Sequence, residues 1–433
     1  MIREIKILDK ADFAQVEAFR KRSEDTAAEV NSIVEDIIRN IIKDGDAALF
    51  AYTSKFDKVE LNPSTVKVSD SEFEEAFNST DKELIEIIKK SAQNIREFHE
   101  NQKSKSWFIN KEDGVMLGQI IRPIEKVGIY VPGGTAPLPS SVLMNAIPAK
   151  VAGVECIIMA TPPGKDGRVN AAILAAAKIA GVDEVYKIGG AQAIAALAYG
   201  TQSVPKVDKI TGPGNIFVAT AKKLVFGQVG IDMVAGPSEI LIIADKSANP
   251  AYVAADLLSQ AEHDKLASSV LVTDSADLAE KVKAELAIQL EKLPRKEIAG
   301  EALEKYGAII EVSEITTGID IANMIAPEHL EISTDNPFEL IGLIKNAGAI
   351  FLGHYTPEPL GDYFAGPNHV LPTSGTARFY SPLGVDDFIK KSSLLSFSRT
   401  AFEKCAEDVA AFAKAESLNA HANSALIRIG KGI

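Results

Sequence analysis

Gln260 and His263 stand three positions apart in the stretch Asp256–Asp264. Read as a helix, the stretch puts both on one face, with Val253, Leu257, Leu258 and Ala261 on the apolar side. An amide and an imidazole so placed are half of a metal site, and the other half has to come from far along the chain. Asp362 offers a carboxylate in a loop rich in proline and glycine. His421 offers a nitrogen between Ala420 and Ala422, small neighbours that leave room for close approach. Nitrogen and oxygen donors without a thiolate suit a catalytic zinc that keeps a position open for substrate. Taken singly, Asp362 reads better as a turn residue and His421 as a surface residue.

Glu328 and His329, in Ile325–Glu331, lie where a helix ends and a strand begins. Adjacent carboxyl and imidazole groups there can serve as two proton-transfer groups, and histidine changes charge near neutral pH. A capped turn with a paired histidine accounts for the same residues equally well. Three glycine turns, Pro132-Gly133-Gly134, Gly189-Gly190-Ala191-Gln192 and Gly212-Pro213-Gly214-Asn215, follow strands and precede helices. Their amides could meet a pyrophosphate. None matches G-x-G-x-x-G/A, because Phe217 stands where the third glycine belongs, and tight turns alone explain the glycines as well. His99, in a polar helical segment, reads as solvated.

The elements that must hold these residues are repeated strands and helices. Glu239–Asp245 reads as a buried strand feeding a helix whose N-cap is Asn249 and whose first residue is Pro250. Upstream, strands at 127–131, 156–161, 184–188 and 209–211 alternate with helices from 140, 171–180, 191–199 and up to 225. Downstream, strands at 239–244, 269–273, 308–312, 329–333 and 349–352 form a second series. Such alternation predicts two parallel, doubly wound sheets. Helical patterns at 26–58, stopped by Gly45, and at 81–103 carry no visible catalytic motif. Residues 1–25 read as a short arm, and 385–433 as a mainly helical tail.

The 433 residues, 46% hydrophobic and 24% charged, are enough for several domains of a globular protein. The net charge of −13 argues against nucleic acid and anionic membranes as partners, but not against an anionic cofactor at a helix N-terminus. The two cysteines, Cys156 and Cys405, have no CxxC neighbour, so neither a thiolate zinc site nor a disulfide framework is expected. The N-terminal residues lack the apolar core of a secretory signal, and no run is long enough for a membrane span, so a cytoplasmic protein is expected.

The sequence as a whole resembles the histidinol dehydrogenase family, nearly end to end. The resemblance rests on Gly128–Gly134, Gly190–Ile194, Thr211–Asn215, Asp232–Glu239, Gln260–His263, Ala326–Leu330, Gly361–Tyr363 and His421-Ala422. It implies oxidation of L-histidinol through the aldehyde to L-histidine by two molecules of NAD. It implies one zinc on Gln260, His263, Asp362 and His421, with Glu328 and His329 as the acid/base pair. Substrate contacts are implied for Ser238, Gln260, His263, His329, Asp362, Glu416 and His421, and NAD contacts for Tyr130, Gln192 and Asn215. A homodimer with swapped tails is implied, so that Glu416 and His421 act in the partner's site. The expected fold is α/β: two doubly wound Rossmann-like domains, a small N-terminal arm and a helical C-terminal tail domain. The expected divisions are 1–25, then 26–124 with 239–380, then 125–238 for NAD, then 381–433. Two other classes compete. A zinc hydrolase using Glu328 leaves the glycine turns without a task, and a non-catalytic nucleotide-binding module predicts no metal.

Overall fold

The computed structural model describes residues 2–7, 12–20, 27–133 and 137–433. Leu8 of the expected first strand, Gly134 of the first glycine turn and the expected boundary at residue 25 lie outside the described residues. The chain divides into two compact units, Met1–Gln102 with Ile124–Phe388, and Lys103–Pro123 with Ile389–Ile433.

The first unit holds two parallel sheets. In the larger, the order is Arg3–Ile7, Gly307–Val312, Ser268–Thr273, Glu239–Ala244, His329–Ser333, Ala349–Leu352. In the smaller it is Glu184–Tyr186, Cys156–Ala160, Lys126–Tyr130, Lys209–Thr211, Gly230–Ile231. Strands such as Glu239–Ala244, buried at every position, are continuous apolar runs because helices cover both faces. Each sheet has one reversal of strand order. From Glu239–Ala244 the chain works outward to Gly307–Val312, then returns to His329–Ser333 on the other side. From Lys126–Tyr130 it works outward to Glu184–Tyr186, then returns to Lys209–Thr211. The doubly wound α/β architecture read from the alternation is the one observed.

Two groupings differ from the expected divisions. Arg3–Ile7, within the segment read as an arm, is the edge strand of the larger sheet. The helices of 27–100 pack on the smaller sheet, not on the one formed by 239–380. Val30, Val34, Ile37 and Ile41 share a core with Ile158 and Ile194, while Ile88 and Ile95 share one with Ile129 and Ile147. Periodicity finds a buried stripe but not the surface that will bury it. His99 is also not solvated: it is fully buried, with Nδ1 2.8 Å from the Ile95 carbonyl.

The second unit contains an antiparallel sheet in the order Ile389–Ser396, Val115–Pro123, Trp107–Lys111, with the helices Arg399–Ala415 and Asn419–Leu426. The tail therefore contributes a strand that the helical reading missed. Ile389–Ser396 and Trp107–Lys111 are largely exposed, so no buried alternation marks them. Leu383, Val385 and Phe388, expected in the tail, are buried in the first unit. Among the described residues no helix is long and apolar enough to cross a membrane.

Candidate active site

His329 opens its strand opposite Ile240, so Glu328 and His329 lie at the amino edge of the larger sheet, beside its reversal. The turn before them is tightly made. The helix Ile315–Ile325 ends on Ala326 in the left-handed conformation at φ 53, and Pro327 follows. Behind the turn, a Cβ on Gly348 would sit 2.5 Å from the Glu328 carbonyl oxygen, so only glycine fits. The backbone of Glu239 then clamps both side chains. Its N–H donates to Glu328 Oε2 at 2.8 Å, and its carbonyl lies 3.0 Å from His329 Nδ1. Ser238, one residue earlier and half-buried, accepts a hydrogen bond from the Ser268 N–H through its own carbonyl.

Other groups converge on the same edge. The helix Pro250–Ala261 begins as expected, with the Asn249 side chain accepting from the Ala251 N–H. It ends at Ala261, so Gln260 is in its last turn and His263 just past its end, with the His263 N–H donating to the Gln260 carbonyl. Gln260 is 1% exposed and its Oε1 has no hydrogen-bond partner. The short helix Glu358–Tyr363 carries Glu358 and Asp362 four positions apart, on one face. Potential ligand atoms of His263, Glu358 and Asp362 all lie within 4.8 Å of one another. His329 Nε2, buried without a hydrogen-bond partner, is 3.8 Å from Asp362 Oδ1 and 3.9 Å from Glu358 Oε1. A cavity of about 640 Å³, lined by Asp362, His369, Phe351 and Leu360 among others, opens beside Asp362. That volume suits a small ligand.

The electrostatics follow from this crowding. Burial alone would depress His329, but the charges of Glu328, Asp362 and Glu358 outweigh it and carry its pKa up to about 10. Burial pushes Glu328 up to about 8 against the pull of His329. Burial, with Asp362 adding to it, pushes Glu358 up to about 8. Asp362 is pushed up by burial, yet His329 and the His369 charge overcome this and hold it at about 2. The His263 ring reaches solvent, but packing around it still lowers its pKa.

The smaller sheet uses its opposite edge. Tyr130 ends its strand, and its hydroxyl accepts from the Gly190 N–H at 3.1 Å. Burial pushes that hydroxyl up to about 12. Gln192, in the first turn of the helix Gly190–Tyr199, is 1% exposed. Asn215 caps the helix Ile216–Val225, its side-chain oxygen accepting from the N–H groups of Phe217 and Val218. Gly212 has φ 115, and a Cβ there would collide with the Tyr130 carbonyl oxygen. Its N–H donates to Asp232 Oδ2 at 2.8 Å, its carbonyl accepts from Lys222 Nζ at 2.9 Å, and Lys222 and Asp232 form a buried ion pair.

Glu416 and His421 belong to the second unit. Glu416 caps the helix Arg399–Ala415, His421 lies in Asn419–Leu426, and both are exposed. Sequence reasoning missed Glu358, Lys222 and Asp232. The spacing of Glu358 and Asp362 would have signalled a shared helical face had that loop been read as a helix.

The comparisons agree with this geometry. The model of the family described as histidinol dehydrogenase matches residues 20–429. Histidinol dehydrogenase from Clostridium acetobutylicum is 58% identical over 95% of each chain. That from Bacillus subtilis is 58% identical over 93% of this chain and 94% of its own. A crystal structure of histidinol dehydrogenase from Elizabethkingia anophelis superposes with a TM-score of 0.92 at 39% identity, covering 99% of this chain and 98% of that one. With sequence and fold shared over almost the whole length, the chain belongs to the histidinol dehydrogenase family.

Proposed function

We propose that this oxidoreductase carries out the zinc-dependent, NAD-linked, four-electron oxidation of L-histidinol, through L-histidinal, to L-histidine, at the end of histidine biosynthesis in the cytoplasm. One observation carries the reading: a buried Glu328–His329 pair faces the His263–Asp362 cluster at one sheet edge. The donor set also fits the metal. It offers imidazole, carboxylate and an orphaned buried amide oxygen on Gln260, and no thiolate. Gln260, His263, Asp362 and His421 would hold the zinc. When bound, zinc supplies a template for the imidazole and amino groups of the substrate, and NAD supplies the hydride acceptor.

The chain's own residues manage the protons. With the Glu239 carbonyl 3.0 Å from Nδ1, the neutral His329 ring carries its hydrogen there and leaves Nε2 as the basic nitrogen. Nε2 takes the hydroxyl proton of the alcohol as hydride leaves its carbon. Asp362 helps hold a proton on this ring, so committing Asp362 to a cation draws His329 toward its basic form. Glu328 is anchored through Oε2 by the Glu239 N–H, so Oε1 remains to accept a proton from the water that adds to the aldehyde. A second hydride transfer from the hydrate yields the acid. Burial of both groups keeps bulk water from a reactive aldehyde.

Tyr130, Gln192 and Asn215 would contact NAD. Helix N-termini at that edge favour an anionic cofactor, whereas the net charge of −13 disfavours nucleic acid. A homodimer with Glu416 and His421 acting in the partner's site accounts for the exposed apolar side chains of the second unit, including Trp107, Phe108, Leu395 and Phe412. The test is the ratio of NADH formed to histidinol consumed by zinc-loaded protein. The expected ratio is two. A ratio of one, or no NADH, overturns the four-electron reading.

A further inference from the structure

Glu358 is a buried acid that the reaction described above does not use. Each of its polar atoms has a definable place. Its N–H donates to Glu331 Oε1 at 2.7 Å, and its Oε2 accepts from the Ser259 hydroxyl at 3.3 Å. Its Oε1 is 3.9 Å from the orphaned Nε2 of His329, and a ligand atom of Glu358 is within 4.8 Å of ligand atoms on His263 and Asp362. Ser259 is the residue next to Gln260, so the contact that fixes one Glu358 oxygen comes from the helix turn bearing the orphaned amide. Ligating carboxylates are held in this manner, with the second oxygen and the backbone bonded and the first left for the ion. Two carboxylates and an imidazole this close, with a buried amide oxygen that has no partner, form a donor set short of one cation.

We infer that Glu358 is a metal ligand: with Gln260, His263 and Asp362 it completes a four-donor seat within the first unit, before any residue of the second unit reaches it. Four nitrogen and oxygen donors are the number a bound zinc commonly takes. His421 then closes a site that is already loaded, and its part concerns substrate engagement more than retention of the ion. The inference rests on the zinc reading above and adds a ligand and an order of assembly to it.

The test compares wild type, Glu358→Gln, His421→Ala and the double variant. Zinc content is measured after dialysis, and zinc affinity by competition with a chromophoric chelator. Cobalt(II)-substituted protein gives an absorption spectrum that reports the ligand set. Circular dichroism and thermal melting of the metal-free forms verify folding, and Glu358→Asp, which keeps a carboxylate, provides a second variant should Glu358→Gln fold poorly. We expect Glu358→Gln to bind zinc at least about 10-fold more weakly, the low end of what loss of a supporting group costs, and to alter the cobalt spectrum. Glu358→Asp should fall between it and wild type. His421→Ala should retain close to one zinc per chain, and the double variant should lose it. If wild type holds one zinc and a folded Glu358→Gln holds it equally tightly with an unchanged cobalt spectrum, the assignment is overturned and the zinc reading survives. If wild type takes up no zinc, both are overturned.

Discussion

The two sheets of the first unit share a winding plan and use opposite edges. In the smaller sheet, Tyr130 and the 212–215 turn stand at the carboxyl ends of the strands flanking the reversal, where ligands of open α/β sheets usually bind. In the larger sheet, Glu328 and His329 stand at the amino end of a strand flanking the reversal. The difference is electrostatic. Helices that follow parallel strands present their N-termini to the carboxyl edge and their C-termini to the amino edge. The first edge thus collects partial positive charge, as at Asn215 and Gly190, and suits phosphates. The second collects partial negative charge, as at the end of Pro250–Ala261, and adds Glu328, Glu358 and Asp362, which suits a cation. One winding plan, met from its two ends, supplies a nucleotide edge and a metal edge.

If the edges are separate devices, damage at one should leave the other intact. The largest effect is expected for His329→Asn. Turnover should fall about 10²- to 10⁴-fold, the usual worth of a positioned general base, with zinc content near that of wild type by elemental analysis. Metal loss as severe as in a His263 variant would show that His329 holds the ion instead. Next in size is Lys222→Met at the nucleotide edge. It leaves Asp232 buried and unpaired beneath the Gly212 turn, at a cost of about 3–5 kcal/mol in denaturant unfolding. NADH affinity, followed by fluorescence titration, should fall while zinc stays bound. Adding Asp232→Asn should recover part of the stability, because Asn removes the lone charge yet still accepts from Gly212. Parallel loss of zinc would join the edges into one device. The smallest effect sharpens a further contrast, since only the metal edge is proposed to need a second chain. Mixing inactive Glu328→Gln and inactive His421→Ala protein should restore up to about a quarter of wild-type activity, because random pairing gives half the dimers one intact site. Mixed dimers that form and stay inactive would rule out sharing of sites between chains.

Much of this was legible before folding was considered. The strands Glu239–Ala244 and His329–Ser333, the Asn249 cap and the turns around Gly190 and Gly212 were marked by apolar runs, capping chemistry and glycine. Within the first unit, Gln260, His263, Asp362, Glu328 and His329 were all singled out, and they meet at one edge of one sheet. Glu358 escaped notice because six residues between prolines and glycines read as loop, although they form one helical turn and a half. The antiparallel strands of the second unit escaped because their side chains face water on both sides and show no alternation.

What residue order determined by itself was local: which segments extend, which coil, where each begins, and which side chains could bond a proton or an ion. Those depend on neighbours within a few positions, so they survive in the linear text. Only the tertiary structure decided that the Glu239 backbone would grip Glu328 and His329, that the helices of 27–100 would cover the smaller sheet, and that Glu358 would stand between His329 and Asp362. Each of these joins groups far apart in the chain, and burial in a shared low-dielectric space, which no single segment possesses, is what shifts their proton affinities.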